Sequence, residues 1–154
     1  MSLDLQVDAQ RWRAHLGKTV EAVPGLVPVA KGNGYGLGVR RLAAEAARLG
    51  VPALAVGTYA EVPHVRDAFP GDVLVLEPWL PDGGAELADE RVIHTVADAA
   101  HLPALAAAGA RVVLEQLTSM RRFGFDVAPV LADLPAGLRV EGVALHLPLG
   151  EAYA

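Results

Sequence analysis

The sequence predicts an α/β fold built on a parallel sheet, and three observations carry the prediction. Short runs rich in Val and Leu recur at intervals of about 20–30 residues, they are apolar on both faces, and helix-like segments separate them. Strands buried on both sides suit a sheet covered by helices, and the spacing suits right-handed βαβ crossovers. An open doubly wound sheet and a (β/α)8 barrel both use this repeat, so the pattern alone does not choose between them.

Taken in order, LDLQVD (3–8) alternates and predicts a leading strand. A helix over Ala9–Ala22 follows, whose Trp12, Leu16 and Val20 recur at i, i+4 and i+8 as an apolar packing stripe. LVPVAK (26–31) reads as a strand that ends on Lys31, and GNGYGLG leads from it into a helix over Val39–Leu49. Further strands are predicted at ALAVGT (53–58), DVLVLE (72–77), RVIHTV (91–96), RVVLEQL (111–117) and LRVEGVALH (138–146). Helices fill the gaps at Tyr59–Ala68, Asp98–Ala108 and Val127–Leu134, the second opening on an aspartate able to cap it.

Composition narrows the function classes. A chain of 154 residues with 53% hydrophobic and 20% charged residues can bury a core and is the size of one domain. Thirteen Lys and Arg against eighteen Asp and Glu give a net charge of −5, which argues against nucleic acid as a partner. With no cysteine, disulfides, thiolate metal sites and cysteine nucleophiles are excluded. Asp4 stands where a secretion signal would want basic residues, and the longest charge-free stretches, 49–60 and 99–110, fall short of the roughly 18 apolar residues that cross a bilayer. A cytoplasmic protein without a membrane partner is expected.

Lys31 is the first candidate for chemistry, because ligands of α/β folds gather at the carboxyl ends of the strands. Glycines at 32, 34, 36 and 38 let backbone amides approach a ligand, and a helix follows whose N-terminus favours an anion. The dinucleotide pattern GxGxxG fails from Gly32 and from Gly34, and the Walker A motif fails because the lysine precedes the loop. A strand-end lysine before a phosphate-friendly turn suits pyridoxal 5'-phosphate, the amine condensing with the aldehyde. The plain alternative is a solvated lysine at a strand end.

VAKGNGYGLG resembles the cofactor-lysine motif of alanine racemases, usually AVVKANAYGHG. LDLQVDAQRWRAHL is similar to that family's opening strand and helix, SMRRFGF to its GMNRLGF, and VEGVALH to its VEGIMTH, all in order along nearly the whole chain. The resemblance implies a fold type III pyridoxal phosphate enzyme, with a (β/α)8 barrel followed by a β domain, acting as a homodimer on a small amino acid. On this reading residues 1–8 are the leading strand and 9–154 a partial barrel of about six βα units, too few to close. Lys31 would be the Schiff-base lysine and one of two acid–base groups. Tyr35 would contact the phosphate, Arg122 the phenolic oxygen and the substrate carboxylate, and His146 would lie beneath the pyridine ring.

Departures from the family pattern are informative. Glycine replaces alanine at Gly32 and Gly34, and Leu37 stands where histidine is usual. Glu115 occupies the place of a lysine that many members carry carbamylated, and Leu117 that of an aspartate. A glutamate in an apolar strand is costly unless paired, so a Glu115–Arg122 ion pair is expected. The family's second base, a tyrosine, comes from the partner's β domain; Tyr153 matches no motif. Little or no racemase activity is therefore expected of residues 1–154 alone. Two other functions stay open at this point: a non-catalytic pyridoxal phosphate carrier, and an α/β binding module in which Lys31 is merely solvated.

Overall fold

The computed structural model describes residues 5–82 and 87–148. Five parallel strands, β1 (Ala53–Val56), β2 (Asp72–Pro78), β3 (Val92–Val96), β4 (Arg111–Gln116) and β5 (Arg139–Leu145), lie in the order β1-β2-β3-β4-β5. A doubly wound sheet reverses strand order at a switch point, and none occurs here. The sheet is an arc of a barrel.

Around the arc run α1 (Ala9–Ala22), α2 (Lys31–Tyr35), α3 (Val39–Leu49), α4 (Val62–Arg66), α5 (Leu102–Ala107) and α6 (Ala128–Ala132). The helices predicted at Ala9–Ala22 and Val39–Leu49 form with those limits. Those at Tyr59–Ala68 and Asp98–Ala108 each divide into a 3-10 turn and a shorter α-helix. Pro63 and Pro103 explain the division: lacking an N–H, each sits in a first helical turn and makes the α-helix begin there. Asp98 caps as expected, its side chain accepting from the Ala100 N–H at 2.9 Å.

Two strand predictions are corrected. Residues 5–8 are exposed and form no strand, while residues 3 and 4 lie outside the described residues. Its Asp8 instead caps α1, accepting from the N–H groups of Gln10 and Arg11. The predicted strand 26–31 is reduced to a bridge between Val29 and Ala55, with Ala30 N–H donating to Ala55 O and Ala55 N–H to Pro28 O, both at 2.8 Å. It still serves as a stave beside β1, so Lys31 leaves the carboxyl end of the arc.

Alternate strand residues face the helices and build two buried clusters. One packs Leu54, Val56, Val73 and Val75 against Ala43, Ala46, Val65 and Phe69; the other gathers Val96, Val112 and Leu114 with Leu105, Trp79 and Val127. On the opposite sheet face, at the amino end of the strands, the Arg111 guanidinium bonds Asp72 and Glu141, each at 2.7 Å, and holds the Asp72 carboxyl below its usual range. These bonds join β2, β4 and β5 at the end of the arc away from Lys31. The stabilising end and the ligand-facing end are thus separate, as in barrels generally.

Candidate active site

The carboxyl ends of the staves converge on a cavity of about 600 Å3. Its wall includes Lys31 after the first stave, Gly57 and Thr58 after β1, Glu77 and Pro78 from β2, Thr95 from β3, Glu115 from β4, and His146 after β5. Such a volume lies inside the roughly 300–1,000 Å3 of small-molecule sites. Every strand, or the segment just after it, contributes to the wall, and the sheet order brings together residues more than a hundred positions apart.

Lys31 opens a single turn, α2, of unusual hand. Gly32, Asn33, Gly34 and Tyr35 all have positive φ, between 52° and 63°, so the turn is left-handed. It closes on itself through bonds from Leu37 N–H to Gly34 O and from Gly38 N–H to Asn33 O, both at 2.9 Å. Gly57 packs against the stem of Lys31: a Cβ there would lie 2.9 Å from the lysine Cβ. The lysine is exposed to solvent at the cavity wall.

Arg122 reaches the same cavity from the loop that follows β4. That loop folds back on its own strand through a bridge between Gln116 and Phe125 and a bond from Phe125 N–H to Glu115 O at 3.1 Å. The Arg122 guanidinium lies over the Phe123 ring, 5.2 Å from its centroid, which fixes the fork of donors beside the mouth. His146 is exposed on the wall, and its backbone carbonyl accepts from the Thr118 hydroxyl at 2.6 Å.

One sequence expectation comes out differently. Glu115 is buried and lines the cavity with Arg122, yet the two make no ion pair among the described residues. Burial pushes the Glu115 carboxyl up, against a smaller opposing influence from the side of His146 and Arg122. Tyr35 is 63% exposed and does not line the cavity. Tyr153 lies outside the described residues.

Glu61 was not singled out by sequence, although Thr58 and Glu61 have the Ser/Thr-x-x-Glu spacing of a capping box. The box forms: the Glu61 carboxylate accepts from the N–H of Thr58 at 3.2 Å. It also accepts from Gly57 and from Asn33.

The family model for the alanine racemase N-terminal domain matches residues 5–154. The chain belongs to that family. Among solved structures, it is similar to alanine racemase from Bartonella henselae with covalently bound pyridoxal phosphate, at 16% identity and a TM-score of 0.77 over 93% of this chain and 44% of that one. The racemase of Clostridium difficile 630 aligns at 20% identity and a TM-score of 0.74, over 92% and 41% of the two chains. That of D-cycloserine-producing Streptomyces lavendulae aligns at 26% identity and a TM-score of 0.71, over 88% and 40%. The chain thus spans about two fifths of the length of these racemases. No curated protein matches it. Among the described residues no helix is long and apolar enough to cross a membrane, and no cluster of ligating side chains could hold a metal ion.

Proposed function

We propose that this alanine racemase N-terminal domain carries the lysine that binds pyridoxal 5'-phosphate in an enzyme interconverting L- and D-amino acids. The observation that carries the reading is the meeting of Lys31, Arg122 and His146 on the wall of one cavity at the carboxyl end of the arc. The residues fit the group: an amine on a wall without a side chain at Gly57, a planar cation at the mouth, and room for a ring and a phosphate.

Bound there, pyridoxal phosphate supplies an electron sink for the carbanion that racemisation requires. The chain supplies the rest. Nζ of Lys31 would hold the cofactor and, freed from it, would hold or move a proton on one face of the substrate Cα. Arg122 binds the anion of the substrate or of the cofactor ring through its fork of donors. The buried Glu115 adds a carboxyl to the same wall, and His146 would lie beneath the ring. Tyr35, on the turn after Lys31, would contact the phosphate. A second acid–base group on the opposite face is needed for interconversion, so residues 1–154 alone should show little or no exchange of D- and L-alanine. In a longer protein we place that group on the partner of a cytoplasmic homodimer.

The test is direct. Protein mixed with pyridoxal phosphate and reduced with borohydride should carry the pyridoxyl label on Lys31 by peptide mass spectrometry. Nζ gains a bond to the aldehyde carbon, water leaves, and hydride fixes the product. Lys31→Ala should lose the label and the accompanying absorbance band. Label found elsewhere, or nowhere, would overturn the reading and leave a plain binding module.

A further inference from the structure

Three backbone N–H groups from two separate segments converge on the carboxylate of Glu61. Oε2 accepts from Gly57 at 2.7 Å and from Thr58 at 3.2 Å; Oε1 accepts from Asn33 at 3.2 Å. Gly57 and Thr58 follow β1, whereas Asn33 belongs to the left-handed turn that starts at Lys31. A capping box needs only the bond to Thr58. The bond to Asn33, 28 residues away in sequence, is surplus to it.

That bond falls where the chain needs one. A left-handed turn costs roughly 1–2 kcal/mol per residue that bears a Cβ, so Asn33 and Tyr35 hold their conformation only if the surroundings fix it. The bonds within the turn run from Leu37 and Gly38; backbone bonds tie Pro28 and Ala30, just before the turn, to Ala55 of β1, and Glu61 adds a side-chain tie from the turn itself to the end of that strand. Packing joins the same three parts: a Cβ on Gly57 would lie 2.9 Å from the Lys31 Cβ and 3.0 Å from Glu61 Oε2. Lysine stem, bare backbone and carboxylate form one layer.

We propose that Glu61 is a positioning residue for Lys31, a carboxylate clasp that joins the left-handed turn to the end of β1 and thereby sets the direction in which Nζ enters the cavity. Its consequence for cofactor attachment rests on the function proposed above; the clasp itself does not. A charged acceptor is suited to the task, since hydrogen bonds to an ionised group are about twice as strong as neutral ones.

The clasp is tested without cofactor by following the amide resonances of Asn33, Gly57 and Thr58 through an acid titration of the 154-residue protein. All three should shift together with one midpoint, and in Glu61→Gln all three should stay flat. An Asn33 amide that does not follow the other two overturns the clasp. Positioning is tested by the rate at which borohydride traps pyridoxal phosphate on Lys31. Glu61→Ala should lower it at least tenfold and Glu61→Gln, which keeps an acceptor, by less. Reaction of Lys31 with the small, undirected aldehyde formaldehyde should stay within twofold in all three proteins, because the amine itself is intact. Equal trapping in wild type and Glu61→Ala overturns positioning. Absence of trapping in wild type overturns the proposed function instead, and the amide titration then still decides the clasp. Should Glu61→Ala fail to fold, Glu61→Gln carries the same comparison.

Discussion

Gly34 shows how much one residue contributes to the turn that presents the lysine. It is buried at φ +63°, and a Cβ there would meet the backbone nitrogen of Val39 at 2.9 Å and Leu42 Cδ1 at 3.2 Å. Gly32 has nearly the same φ, +60°, but open space around it. Gly32→Ala should therefore cost only the left-handed conformation, about 1 kcal/mol, and Gly34→Ala about 2 kcal/mol because the start of α3 must also move. Urea unfolding of the two variants measures the difference. Equal losses would assign the whole cost to handedness and none to the contact with α3. The same turn shows what was legible at this scale. Lys31, Arg122 and His146 stand out in the sequence because their motifs fix residue type and order; that they line one cavity follows from the sheet order, which the motifs do not state. The Glu115–Arg122 pair was misread because a motif carries no side-chain direction: it depends on how the loop after β4 folds back. Glu61 did have a readable sign, the Thr58–Glu61 spacing, but its bond to Asn33 depends on two staves being neighbours, which no local pattern states.

Among the elements, β1 to β5 were legible because strands buried between helices and barrel interior are written as continuous Val and Leu runs. The errors fall on segments that lack neighbours on both sides. LDLQVD alternates like a strand, yet its residues 5–8 have no partner strand among the described residues, and alternation without pairing does not make one. The stave at 26–31 pairs only with β1 and shrinks to a bridge. Helix α1 formed as predicted, but its stripe is not deeply packed: Trp12, Leu16 and Val20 are half-buried along an apolar groove against α3. Its firmest tie is polar. The Arg13 guanidinium bonds both oxygens of the buried Glu45 on α3, with Nε at 2.9 Å from Oε2, and holds that carboxyl below its usual range. Arg13→Ala should release the helix locally and speed amide exchange across Ala9–Ala22 about fivefold while leaving β2 to β4 unchanged. Arg13→Lys should recover only part of the protection, since an ammonium has no fork. Exchange in α1 that does not change would assign its docking to the apolar stripe.

At the scale of the whole molecule, the barrel arc was legible as α/β and ambiguous in architecture, because βαβ repeats state adjacency of elements and not whether strand order ever reverses; the unbroken order β1 to β5 resolves it. What joins the arc into one body is the seam between its two apolar clusters. Tyr59 packs against both, and its ring stacks on His94 of β3 with centroids 5.7 Å apart and its hydroxyl 2.9 Å from Nδ1. Burial and the charge of Glu77 push the Tyr59 hydroxyl well above its ordinary range, so it keeps its proton and shares a hydrogen bond with Nδ1. His94 is fully buried and stays neutral, burial holding its pKa down from 6.5 to about 4. The unfolded chain binds a proton at about 6.5, so only the unfolded state takes one up as the pH falls from there towards 4. The stability contributed by the neutral seam is thus whole above pH 6.5, declines through that window by about 3 kcal/mol in all, and levels off below it. Asp72 and Glu45, whose carboxyls are held low by Arg111 and Arg13, weaken the fold only at more acid pH, below the ordinary carboxylate value near 4. Glu115, whose carboxyl burial pushes up, adds a slope of opposite sign at the acid end, so urea midpoints measured from pH 7.5 to 5 should fall below 6.5 in the wild type, and that fall should be absent in His94→Gln. A wild-type profile that is flat between pH 6.5 and 5 would mean that His94 takes up its proton without leaving the seam, and the two clusters would then be joined by something other than this buried pair.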